Sequence, residues 1–137
     1  MIKINPNQMK VEVSANCGNS PKQEFIKKFN IAFAKADIDF LTSSVSDDIT
    51  WEIVGDKTIK GKEAFRHAVS EMANYPAAKL VLHQVITHGK EAASNGAMYM
   101  QDDPETPYCF SDFYEFISPG KQIIKNMRSY VIKSSES

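Results

Sequence analysis

Asp112 is the residue whose surroundings most invite chemistry. It lies in the run Tyr108–Ile117, which reads as a β-strand. Alternation then puts Phe110, Asp112 and Tyr114 on one face and Ser111, Phe113 and Glu115 on the other. A carboxylate between aromatic rings is short of water, and desolvation raises its pKa toward the range where a carboxyl group can give or take a proton at neutral pH. The plainer alternative is a carboxyl group bonded to a nearby hydroxyl or solvated in a wet pocket. Trp51 carries an indole N–H that can orient a ligand, or it is plain core. Met98 and Met100 alternate on one strand and Met127 lies on the last one. Thioethers adapt to irregular apolar ligands, although they fill cores equally well.

The other reactive residue types form no constellation. His67, His83 and His88 have no metal-ligand spacing, and only His83, in an apolar strand, is placed to reach a pocket. Cys17 and Cys109 lack a CxxC pattern and read as two free thiols of a reducing compartment, Cys17 in a polar segment and Cys109 in a strand. There is no GxSxG nucleophile motif and no glycine-rich phosphate loop. Neither a metal nor a cofactor is expected.

These residues need elements to position them. Ser20-Pro21-Lys22-Gln23 starts a helix, with Ser20 as cap, Pro21 at the first position and Gln23 closing a capping box. Phe25, Phe29 and Phe33 follow at spacing four, an apolar stripe about four turns long. Asp37 caps a shorter helix carrying Ile38, Phe40, Leu41 and Val45. Asp47-Asp48 reads as a turn, and Ile49, Trp51 and Ile53 alternate as a strand ending at Gly55. A third helix follows Gly61, with Phe65, Ala68, Val69 and Met72 on one face, and ends at Pro76. Four strands complete the chain: 79–87, 92–101 with a kink at Asn95-Gly96, 108–117, and 123–133. Asp102–Glu105 reads as a loop between the second and third of these.

Residues 1–20 read as an N-terminal arm, 21–133 as the domain and 134–137 as a polar tail. Helices segregated from a mostly antiparallel sheet make the class α+β. A chain of 137 residues suits one domain that buries roughly two-thirds of its unfolded surface. The net charge of −1 leaves no electrostatic footprint for nucleic acid or an anionic membrane. No apolar leader or 18-residue apolar run is visible, so the expected location is the cytoplasm.

The order of elements, together with Ser46-Asp47-Asp48-Ile49-Thr50-Trp51-Glu52, Ile59-Lys60-Gly61-Lys62-Glu63-Ala64-Phe65, Asp112-Phe113-Tyr114-Glu115-Phe116, Pro119-Gly120-Lys121 and Met127-Arg128-Ser129-Tyr130, resembles the nuclear transport factor 2-like superfamily. That group includes ketosteroid isomerases, SnoaL-like polyketide cyclases and limonene-epoxide hydrolases. The resemblance spans about residues 21–133. It implies a cone-shaped curved sheet closed by three helices around an apolar pocket. Asp112 then falls where the isomerases hold a protonated acid. Their general base falls on Ile53 and their oxyanion tyrosine on Phe29, so steroid isomerisation by that route is not expected. The resemblance implies a pocket shaped by Phe29, Trp51, Ile53, Met98, Met100, Tyr114 and Met127. The expected function is cofactor-independent acid-base chemistry of an isomerase, cyclase or hydrolase kind on a small hydrophobic molecule. The alternative is a non-catalytic binder of such a molecule. Phe113, Ile117, Tyr130 and Ile132 fall on the outer sheet face, too apolar to leave in water, so a homodimer through that face is expected.

Overall fold

The structure, a computed structural model, describes residues 9–134. Residues 1–8 of the expected arm and 135–137 of the expected tail lie outside the described residues. The elements are β1 (Lys10–Val13), a 3₁₀ turn (Ala15–Cys17), α1 (Pro21–Lys35), α2 (Ile38–Ser43), β2 (Val45–Ile53), β3 (Lys57–Lys60), α3 (Lys62–Met72), β4 (Ala77–His88), β5 (Glu91–Met100), β6 (Asp103–Phe116) and β7 (Ile124–Lys133). The strands form one sheet in the order β1-β4-β5-β6-β7-β2-β3. Pairing is antiparallel except for β1 with β4 and β2 with β7. The sheet is curved and unclosed, and the helices complete an α+β cone. No helix among the described residues is long and apolar enough to cross a membrane.

Local chemistry sets the helix ends. The Ser20 hydroxyl accepts from the Gln23 N–H while the Gln23 side chain accepts from the Ser20 N–H, closing the capping box. The α1 stripe then buries Phe25, Ile26 and Phe29 against the inner sheet face. The Asp37 carboxylate accepts from the Phe40 N–H and starts α2. Lys22 ties the closed end of the cone: its ammonium donates to the Gly89 and Pro119 carbonyls at 2.5 and 2.7 Å and lies 4.7 Å over the Phe116 ring.

Several expectations need correction. Asp47 and Asp48 do not make a turn but lie inside β2, where the β2–β7 register breaks between Val45 and Thr50. The irregularity lets two exposed aspartates sit within a strand. Val45 opens that strand instead of closing α2. β3 was not anticipated, being four residues long. α3 ends at Met72, short of Pro76, and Asp103–Glu105 belongs to β6 instead of a loop. The segment around Cys17 is tied down: Cys17 is fully buried, and β1 lies parallel against β4.

Curvature comes from register shifts. Leu82 pairs with Gly96 and Gln84 with Asn95, so His83 is the extra residue of a bulge on β4. The kink expected at Asn95-Gly96 is therefore present, but its inserted residue is on the partner strand. His83 is exposed there and does not reach the interior. Gly96 is required by close approach: a Cβ there would lie 2.1 Å from the Val81 carbonyl oxygen and 3.1 Å from Leu82 Cα and Phe110 Cζ. Gly96→Ala should therefore cost on the order of 1–3 kcal/mol through overpacking of paired backbone. Urea denaturation checks this, and an unchanged midpoint would show that the strands separate freely.

Candidate functional site

The cone encloses a cavity of about 380 Å³, within the range of small-molecule sites. Its floor and wall are read most directly from the strand register. Ser94, Asp112, Ser129 and Ile53 are successive partners across β5, β6, β7 and β2. They form one row along the inner face. On one side lies the row Gly96, Phe110 and Val131, and on the other Ala92, Tyr114, Met127 and Trp51. A band of three polar side chains thus crosses an otherwise apolar surface. Exposure shows which way the cavity opens: Trp51, Met127, Ser129 and Asn30 are buried, whereas Met72, Tyr75, Asp102 and Val131 are exposed at the mouth.

The polar band is organised around Asp112. Asn30, on α1, donates its Nδ2 to the Ile26 carbonyl at 2.9 Å, to Ser94 Oγ at 3.3 Å and to the Tyr114 hydroxyl at 3.1 Å. Ser94 Oγ lies 2.7 Å from the Tyr114 hydroxyl. Tyr114 donates to Asp112 Oδ2 at 3.4 Å. The Trp51 Nε1–H donates to Ser129 Oγ at 2.9 Å, and Ser129 in turn donates to Asp112. A hydroxyl has one hydrogen to give. Since Tyr114 gives its hydrogen to Asp112, Ser94 is the donor to Tyr114. Two hydrogen-bond chains, Asn30–Ser94–Tyr114 and Trp51–Ser129, converge on one carboxyl group. Among the described residues no buried side-chain nitrogen or oxygen is left without a partner.

Electrostatics follow from this arrangement. Burial pushes the Asp112 pKa from an ordinary 3.8 up to about 6, although the Ser129 and Tyr114 hydrogen bonds favour the charged form. Burial, aided by the nearby Asp112 charge, holds the Tyr114 phenol well above its ordinary value, so Tyr114 stays protonated and a donor. Among the described residues no three His, Cys, Asp or Glu side chains come together as a metal-ligand set.

The sequence-expected site residues divide in two. Trp51, Ile53, Met98, Met100, Asp112 and Met127 all line the cavity. Phe29 and Tyr114 do not. They lie beneath its floor, in edge-to-face contact at 6.0 Å, and both are buried in the core. Tyr114 touches the site only through its hydroxyl. The Trp51 N–H is committed to Ser129, so the indole contributes an apolar face to the cavity. Asn30, Ser94 and Ser129 were missed as site residues. A signal existed for Asn30, which falls on the apolar side of α1 between Ile26 and Phe33 at helical spacing.

A family model described as the SnoaL-like domain matches residues 26–124. The chain belongs to the SnoaL-like domain family. No curated protein matches it. Among solved structures, this SnoaL-like chain is similar to an NTF2-like protein from Burkholderia xenovorans, with a TM-score of 0.69 at 14% identity over 85% of this chain and 86% of that one. It is similar to an LEH-like epoxide hydrolase from M. tuberculosis, TM-score 0.66 at 16% identity over 80% of each chain. It is also similar to SalBIII, an epoxide hydrolase/cyclase-like enzyme of pyran ring formation in the polyether salinomycin, TM-score 0.67 at 18% identity over 81% of this chain and 90% of that one. At these identities the likeness is one of fold. The SnoaL-like cone is the scaffold, and its chemistry rests on the residues described above.

Proposed function

We propose that the cavity binds a small, largely apolar molecule and that Asp112 is the acid-base group acting on it. The observation that carries this reading is a single carboxyl group of raised pKa at the floor of an apolar cavity, held by Ser129 and Tyr114. A carboxyl with a pKa near 6 exchanges protons readily at neutral pH, and perturbed groups of this kind concentrate at functional sites. The reaction class would be that of the similar epoxide hydrolase and cyclase-like enzymes, using the protein's own groups alone. One observation favours a second reading, non-catalytic binding of the same ligand: Ile53, next to Ser129 in the floor row, supplies no second titratable group there.

Both readings are tested by recovering the ligand. Native mass spectrometry of the purified protein should show a bound small apolar molecule. Incubating that molecule with the protein should convert it, and Asp112→Asn should slow conversion at least ~100-fold, the scale of a lost general acid or base. Full turnover by the variant removes Asp112 from the chemistry. A ligand returned unchanged after long incubation leaves the binding reading.

We further propose a homodimer through the outer sheet face. Phe113 and Tyr130 meet edge-to-face there, and Phe113 and Ile132 are 51% and 71% exposed. Light scattering at micromolar concentration should give twice the 15.4 kDa chain mass, and Ile132→Glu should halve it. A monomeric mass for the unaltered protein would sink this proposal. The unpaired thiols of Cys17 and Cys109 suit a reducing compartment, and the cytoplasm is the proposed location.

A further inference from the structure

The floor of the cavity offers a ligand acceptors and almost no donors. The two Asn30 Nδ2 hydrogens go to the Ile26 carbonyl and to the Ser94–Tyr114 pair, so Asn30 can present only its acceptor oxygen to the cavity. The Trp51 N–H is taken by Ser129, and the Ser129 and Tyr114 hydroxyls are taken by Asp112. Among the described residues, the only side-chain donors on the lining outside this network are the hydroxyls of Tyr75 and Tyr108, in side chains exposed or half-exposed nearer the mouth. Charge points the same way. Among the described residues, the titratable side chains lining the cavity are Asp112, Asp102, Tyr75 and Tyr108, with no Lys, Arg or His. Lys133 lies 5.6 Å over the Tyr108 ring and does not line the cavity. Lys57, Lys60 and His67 line a neighbouring hollow over β3 and α3 that shares Met72 and Tyr75 with the mouth, and none of the three lines the cavity itself.

We infer that this cavity selects an apolar molecule carrying a protonated amine, with the ammonium group donating to the Asp112 carboxylate at the floor. This rests on the reading above that the cavity takes a small apolar ligand. A buried carboxylate without a cationic partner is costly, and an ammonium supplies both the missing charge and the missing hydrogen. The aromatic faces of Trp51, Phe33 and Phe110 around it favour a cation further. A carboxylate, phosphate or sulfate ligand would meet two acidic groups and find no cation on the lining. A carbonyl ligand would meet only acceptors at the floor while Asp112 is ionised.

The experiment is calorimetric titration with three probes of one shape: 3-phenylpropylamine, 3-phenylpropan-1-ol and 3-phenylpropanoate. At pH 7.5 the amine should bind at least tenfold more tightly than the alcohol, and the carboxylate should bind most weakly. The amine keeps its proton at pH 5, whereas Asp112 takes one up. With a free-state pKa of about 6, the amine affinity should fall about tenfold at pH 5, while the alcohol's should not fall. Asp112→Asn should abolish the preference for amine over alcohol. If that variant does not fold, the pH comparison on the unaltered protein decides between the outcomes by itself. Binding of the alcohol as tightly as the amine, or tighter binding of the carboxylate, overturns the inference and leaves the cavity reading standing. Failure of all three probes to bind at millimolar concentration overturns both.

Discussion

Asp112→Asn should make the protein more stable at pH 7.5, not less. The Asp112 pKa is about 6 in the folded chain against an ordinary 3.8, so between these values the native state holds a proton that the unfolded chain has released. Stability therefore falls as pH rises from about 4 to about 6, and the loss is complete above that window. The difference between 3.8 and about 6 corresponds to ~3 kcal/mol. Asparagine removes that charge. It keeps one acceptor oxygen for Tyr114 or Ser129 and weakens the other bond, which returns ~1 kcal/mol of the gain. A net stabilisation of ~1–2 kcal/mol is expected, together with loss of the descending limb between about pH 4 and 6. Glu115 titrates in the opposite sense, since its bonds to Asn126 and Lys90 hold its pKa low, so its stability contribution is lost as pH falls. Subtracting the variant's stability–pH curve from that of the unaltered protein isolates Asp112. A variant that is less stable at pH 7.5, with the descending limb intact, would mean that the carboxylate is a net structural asset. A gain would identify Asp112 as a group kept at a cost to stability, as functional carboxylates are.

Where the sequence could be read, the signal was local. Ser20, Pro21 and Gln23 lie within one helical turn, and a capping box depends on nothing further away. Alternation sufficed to put Trp51 and Ile53 on one face and Asp112 beside Phe110, because a strand with one buried face fixes its own phase. What could not be read depends on register between strands. Ser94 and Ser129 are ordinary serines until pairing sets both opposite Asp112. The bulge at His83 needs an inserted residue that neither strand announces alone. Family resemblance places Phe29 and Tyr114 at the pocket. The depth at which a ring sits depends on how closely α1 approaches the sheet, and here the two rings close against each other beneath the floor. Cys17 lies in a polar run of sequence, but its Sγ donates to the Leu82 carbonyl in the core, a contact spanning 65 positions of sequence.

Phe65→Ala should be the most damaging single truncation near the site. Phe65 is fully buried on α3, tilted against Trp51 at 5.6 Å and edge-to-face with Phe33 at 6.5 Å. Removing a buried phenylalanine ring costs ~3–5 kcal/mol, a large part of the ~5–15 kcal/mol that holds a domain together. The damage should also reach the chemistry. Trp51 is held in place by an edge-to-face contact with Phe33, a tilted contact with Phe65 and Ser129 at its N–H. With Phe65 gone, the indole can settle into the vacated space and leave Ser129 without its donor. Asp112 would then lose the orientation that Ser129 gives it. Trp51 is the chain's one tryptophan, so its fluorescence reports this movement directly. The expected result is a lower urea midpoint together with a red-shifted emission, as the indole gains access to water in the cavity. Phe65→Leu, which preserves more of the volume, should cost less and leave the emission near its original position. A large loss of stability with unshifted emission would show that Trp51 is positioned by the sheet alone, with α3 serving only as cover. The two variants therefore distinguish a helix that shapes the cavity from one that merely closes it.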